Sequence, residues 1–203
     1  LRGFKREERF PTSGNDTTYA IIYDAVYRME DNMGVATITD VTQYLSFMLG
    51  EEVFALDISK VREVLDSTTV TKVPRTPEFM CGVINLRGGV VPVVDMRLKF
   101  GMSKTEKTVN TCIIIVEVSL GGEATVLGAL ADSVQEVFDL EPDQIEPPPK
   151  IGTKLNIEFI SGMGKRSDRF VIILDIDRVF SADELTVVQE AECYISNSEQ
   201  EED

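Results

Sequence analysis

The stretch Met80-Cys81-Gly82-Val83-Ile84-Asn85-Leu86-Arg87-Gly88-Gly89-Val90-Val91-Pro92-Val93-Val94-Asp95-Met96-Arg97-Leu98-Lys99-Phe100-Gly101 decides how the rest of the chain is read. Two apolar runs, Gly82–Leu86 and Val90–Val94, flank the turn Arg87-Gly88-Gly89, whose glycines supply the positive φ of a tight reversal. Short β-branched runs bounded by turn residues predict a hairpin. Arg87 then stands at the tip of that turn, presented outward on a rigid base, which suits an interface ion pair. Gly88-Gly89 is not a phosphate loop, because no substantial helix and no Lys-Ser/Thr follow it.

Outward from this hairpin the same pattern continues. Tyr44–Leu49 and Val53–Ile58 flank Gly50-Glu51-Glu52, and Thr111–Val118 and Ala124–Ala131 flank Ser119-Leu120-Gly121-Gly122-Glu123. Val70–Val73 reads as a short strand closed by Pro74, Gln144–Pro149 as a rigid proline-rich connection, and Phe170–Ile176 as a buried strand. Helical signals are short: Pro77–Cys81, Met96–Phe100 and Ser181–Leu185, the last with Ser181 and Glu184 as a capping box. Many short strands separated by turns predict an all-β protein of barrels or sandwiches.

The chain also repeats itself. Val61-Arg62-Glu63-Val64-Leu65-Asp66 is echoed by Val134-Gln135-Glu136-Val137-Phe138-Asp139, and Phe79-x-x-Gly82 by Phe159-x-x-Gly162. Gly82 to Asp95 and Gly162 to Asp175 are both 13 positions, and Asp95 to Phe100 and Asp175 to Phe180 are both 5. Two similar small barrels related by a pseudo-twofold are the simplest architecture with these spacings. Asp95 and Asp175, each after a strand and before a short helical turn, fit capping roles better than a pair of catalytic carboxylates. Residues 1–40 read as a flexible N-terminal extension, with Met33-Gly34 as an alternative start. Residues 41–185 form the two-barrel domain, and residues 186–203 an acidic tail that begins helical and frays.

Composition narrows the chemistry. The 203 residues carry a net charge of −15, a field that repels nucleic acid and anionic membrane surfaces. There is no histidine, which excludes imidazole bases and Ser-His-Asp or Cys-His catalysis. Cys81, Cys112 and Cys193 lack CxxC spacing and suit reduced thiols of a cytosolic protein. No apolar run approaches the roughly 18 residues of a membrane span, so no direct membrane insertion is expected. Glu63 is a lone charge on an apolar stretch, and Lys165-Arg166 with Arg169 is a small basic turn that reads as a solvated loop, with docking of an acidic partner as the alternative.

The opening stretch, with its G-V-x-N-L-R-G core, V-x-P-V-V-D-x-R continuation and K-F-G ending, resembles the signature of the CheW family of chemotaxis coupling proteins. Lys60–Val64 and Asp132–Val137 match in order and spacing, and the resemblance runs from about Gln43 to Leu185. It implies two SH3-like five-stranded β-barrels around a shared core, no catalytic centre and no cofactor. The implied partners are the cytoplasmic tip of chemoreceptors and the regulatory domain of a CheA-type histidine kinase. The implied location is cytoplasmic, recruited to membrane receptor arrays. Carried over by position, Val61, Glu63, Gly82, Asn85 and Arg87 match places of receptor or kinase contact, with Glu63 and Arg87 placed to pair. Cys112 and Val137 match apolar interface or near-interface positions, and Ile151 stands where some members place an aromatic. The alternatives are a carboxylate-dependent β-barrel enzyme, whose turnover would vanish on Asp→Asn at Asp95 or Asp175, and a scaffold for another two-component pathway.

Overall fold

The computed structural model describes residues 41–66, 68–120, 123–148, 157–166 and 169–180. The expected extension 1–40, the tail 186–203, the helical signal Ser181–Leu185 and Ile151 all lie outside them. Eleven strands run in chain order: β1 Thr42–Leu49, β2 Glu52–Asp57, β3 Val61–Asp66, β4 Met80–Leu86, β5 Gly89–Asp95, β6 Cys112–Leu120, β7 Glu123–Ala131, β8 Ser133–Leu140, β9 Ile145–Glu146, β10 Ile160–Arg166 and β11 Arg169–Leu174. Among the described residues the short α-helices are α1 Met96–Lys99 and α2 Ile176–Val179.

The strands form two sheets, ordered β8-β1-β2-β11-β10-β9 and β3-β6-β7-β5-β4. The repeat seen in the sequence is therefore real but crossed over. The first hairpin, β1–β2, leaves its own half and lies between β8 and β11, while β6–β7 inserts between β3 and β5. Each graft is sealed by one parallel ladder: Ile172, Ile173 and Leu174 of β11 beside Phe54, Ala55 and Leu56 of β2, and Val93, Val94 and Asp95 of β5 beside Gly128, Ala129 and Leu130 of β7. Each sheet thus contains strands from both halves of the repeat, β3–β5 with β6–β7 in one and β1–β2 with β8–β11 in the other.

Period-two alternation explains why β6 reads as a continuous apolar run. Ile113 and Ile115 face the interior of one barrel with Ile84, Val91, Val93 and Leu130, while Cys112, Ile114, Val116 and Val118 face the core shared by both sheets. A strand buried on both faces has no polar side to show. The second barrel's own interior holds Ala55, Phe138, Leu140, Val171 and Ile173. Through the shared core runs an aromatic column, Phe47 to Phe54 at 6.0 Å, Phe54 to Phe100 at 5.6 Å and Phe100 to Phe159 at 4.8 Å between ring centroids. Offset-stacked rings at these distances add to the burial each contributes.

The repeated motifs occupy equivalent places. The Asp95 amide donates to the Phe79 carbonyl at 2.8 Å and the Asp175 amide to the Phe159 carbonyl at 2.9 Å. Asp95 is wholly buried, and its carboxylate accepts from the amides of Arg97, Leu98 and Thr105 and from the Thr105 hydroxyl. It caps α1 and ties down the following loop, a structural role that uses both of its oxygens. Asp175 also precedes a helix, but its side chain makes no cap and pairs with Arg178 at 3.0 Å.

Three local expectations change. Pro77–Cys81 forms a single turn, with the Met80 amide bonded to the Pro77 carbonyl at 2.9 Å, because β4 begins at Met80. Val70–Val73 contributes only the bridge between Thr71 and Val83. The Gln144–Pro149 connection gives up Ile145–Glu146 to β9, which pairs with Gly164 and Met163. In each case pairing to a distant strand overrides the local signal.

Candidate protein-binding face

Among the described residues neither sheet closes on itself through a complete ladder. β3 and β4 are the two edges of one sheet, and a charged pair joins them. Glu63 projects from β3, Arg87 from the turn after β4, and their side chains meet at 3.1 Å. The turn that holds Arg87 is fixed from below. Asn85 accepts the Gly88 amide at 3.0 Å, and Arg87 itself adopts a left-handed φ of 53°. Arg87 is 80% exposed along its side chain and Glu63 only 26%, so the acid is anchored and the base is offered to solvent. Beside them Arg62 donates to Glu117 of β6, leaving two neighbouring ion pairs on one rim.

The sequence-expected residues divide sharply around this rim. Glu63, Asn85 and Arg87 are brought together by it. Val61 is 5% exposed and packs into the shared core. Gly82 sits in a bulge of β4, where a Cβ would lie 2.0 Å from the Thr71 carbonyl oxygen; its contribution is to backbone packing. Cys112 is 4% exposed in the shared core, so its side chain is not presented to a partner. Val137 is half-buried on β8 and packs against the same core.

The second barrel carries a counterpart that the sequence reading treated as a solvated loop. Arg166, at the end of β10, reaches Glu136 of β8 at 3.0 Å and lies over the Phe138 ring with its guanidinium carbon 4.6 Å from the centroid. Glu136 is the repeat equivalent of Glu63, and that alignment was the available signal. Its partner was hidden because Arg166 aligns with Leu86 and not with Arg87.

Among the described residues, neither thiol is a reactive group. Burial pushes Cys112 up to about 12 and Cys81 up to about 11, so both stay protonated at neutral pH and lack the nucleophilic thiolate. Iodoacetamide at pH 8 is expected to leave Cys112 unmodified in the folded protein and to label it fully in denaturant. Peptide mapping checks this, and rapid labelling in the native state would show that the thiol is accessible. Among the described residues no group of three His, Cys, Asp or Glu is placed to hold a metal, and no helix is long and apolar enough to cross a membrane.

Comparison with known proteins agrees with this architecture. Residues 43–184 match the family described as the CheW-like domain. The chain is 34% identical over 161 residues to chemotaxis protein CheW of Klebsiella aerogenes, covering 76% of this chain and 95% of that one. It is 32% identical over 148 residues to chemotaxis protein CheW of Thermotoga maritima, covering 71% and 90%. The crystal structure of the scaffolding protein TtCheW from Thermoanaerobacter tengcongensis superposes with a TM-score of 0.62 at 37% identity, covering 70% of this chain and 94% of that one.

Proposed function

The chain belongs to the CheW family of chemotaxis proteins, and from that premise we propose that it is a non-enzymatic adaptor joining chemoreceptors to a CheA-type histidine kinase. The observation that carries this reading is the Glu63–Arg87 pair, a half-buried acid holding an exposed base on a rim fixed by a glycine turn. Such a pair sets orientation and partner choice, while the apolar surface around it supplies area. The partners in this reading are the cytoplasmic tip of the receptors and the regulatory domain of the kinase, met on distinct faces. The protein would work in the cytoplasm, held at the membrane by the receptors it binds. Coupling then requires only that each bound partner bias the arrangement of the other, a linkage effect with no chemical step.

Arg87→Glu and Glu63→Lys are each expected to weaken binding of at least one partner by about tenfold, the scale of a lost interface charge pair. The fold should be retained, since an exposed pair contributes at most about 1 kcal/mol to stability. Titration calorimetry with the kinase regulatory domain and with a receptor-tip fragment measures both. Wild-type affinity of both variants for both partners would remove the rim from the binding face. Failure of the wild-type protein to bind either partner would remove the adaptor reading itself.

A further inference from the structure

Among the described residues the buried polar side chains are Ser46, Asp95, Thr105 and Thr111. The last three serve the α1 cap and the loop between α1 and β6. Ser46 lies in the middle of β1, is 3% exposed, and serves the other sheet. Its hydroxyl donates to the Glu136 carbonyl at 2.8 Å and accepts the Glu136 amide at 3.2 Å. The ladder between β1 and β8 is broken there. Leu45 pairs with Val137 and Phe47 with Val134, so Gln135 and Glu136 together face Ser46. A bulge of this kind bends its strand and re-aims the side chains on it, and here one hydroxyl supplies both hydrogen bonds that the ladder gives up. The first barrel lacks the device. Its Ile114–Val64 pair matches Leu45–Val137, so Ser46 corresponds to Ile115, which pairs with Glu63 in the ladder directly.

What the bulge aims is Glu136. Its carboxylate holds Arg166 at 3.0 Å, and the guanidinium carbon lies 4.6 Å from the Phe138 centroid, within range of a cation–π contact. β9 pairs with β10 only at Met163 and Gly164. The ion pair therefore spans the seam between β8 and the end of β10, as Glu63 and Arg87 span the seam between β3 and β4. A guanidinium carries five donors in a rigid plane. Among the described residues Arg166 donates to Glu136 from Nη2, and 40% of its side chain is exposed. Its outer edge is thus presented to solvent in a fixed orientation, with the exposed Arg169 as cross-strand neighbour. A cation held in this way has lost its rotamer freedom before any partner arrives, which lowers the cost of binding. In a chain of net charge −15, it is suited to a carboxylate.

We propose that Arg166 is a second docking cation, which grips a carboxylate on one of the two partner proteins, and that Ser46 is the positioning residue that holds it in place through Glu136. The proposal rests on the adaptor reading. It gives each barrel one oriented guanidinium on its seam, so that contacts to two proteins stand on separate barrels.

Titration calorimetry of the full-length protein with the kinase regulatory domain and with a receptor-tip fragment tests both parts. Arg166→Gln is expected to weaken one partner about tenfold and to leave the other within about twofold of wild type. Ser46→Ala should weaken the same partner about fivefold, and that loss should vanish in the Arg166→Gln background, because Ser46 acts only through the guanidinium. A serine with a purely structural role would lower the melting temperature but change the affinity equally in both backgrounds. Ser46→Cys takes the place of Ser46→Ala if the alanine variant does not fold. An Arg166→Gln variant that binds both partners like wild type, weakens both, or tightens either overturns the docking cation. A Ser46 variant that loses no affinity, or loses as much in the Arg166→Gln background, overturns the positioning role. A wild-type protein that binds neither partner removes the adaptor reading and this contact with it, so the wild type tells the two failures apart.

Discussion

Gly82→Ala is expected to lower folding stability by at least about 3 kcal/mol and to abolish partner binding with it. Gly82 has φ +132°, and a Cβ there would lie 2.0 Å from the Thr71 oxygen and 2.8 Å from the Thr71 carbonyl carbon. These are backbone atoms, so no rotamer change relieves the contact. Thr71 is held in place because its amide and carbonyl are both bonded to Val83, each at 2.8 Å. Relief requires breaking that bridge and moving the edge of the sheet that carries the Arg87 turn. Gly88 is the matched control. It has φ +87° but open space around the Cβ position, so Gly88→Ala should cost only backbone strain, about 1–2 kcal/mol. For a domain of this size the Gly82 variant should melt roughly 6–12 °C lower. Thermal unfolding followed by circular dichroism decides between them, and equal melting temperatures for the two variants would disprove the close-approach account.

This glycine marks the boundary of what the sequence could tell. Strand positions were legible because β-branched runs and turn residues act locally; the hairpin came out where it was read, but its turn is Arg87-Gly88, with positive φ at both, and Gly89 already belongs to β5. The spacing between Gly82 and Asp95 also revealed the repeat. The exchange of hairpins was not legible, since an apolar strand carries no record of which half it pairs with. Val61, Gly82 and Cys112 were placed with Glu63 and Arg87 by position, from the family resemblance. Their proximity to the motif is genuine, but burial against a distant strand decides what their side chains can touch. Polar residues at or beside the turn, such as Arg87 and Asn85, were easier to place because their exposure follows from the turn itself.

Phe100→Ala is expected to cost about 3–5 kcal/mol, the range for truncating a buried aromatic, and to loosen the two barrels from each other. Phe100 is 7% exposed at the end of α1, which belongs to the β3–β7 sheet. Its ring stacks between Phe54 of β2 and Phe159 just before β10, both belonging to the other sheet. Truncation therefore empties the junction and leaves each barrel's separate interior intact. Phe138→Ala offers the contrast, because Phe138 packs within the second barrel beside Tyr44 at 6.2 Å. Both variants should be destabilised, but Phe100→Ala should also flatten the urea transition or split it in two, since the barrels no longer unfold as one unit. The consequence for an adaptor is specific. A partner on one rim can influence a partner on the other only if the rims keep a fixed relation. Under conditions where Phe100→Ala remains folded, each partner alone should bind close to normally, while receptor control of kinase activity through the adaptor should fall several-fold. A single sharp transition together with undiminished receptor control would mean that the aromatic column does not carry the coupling.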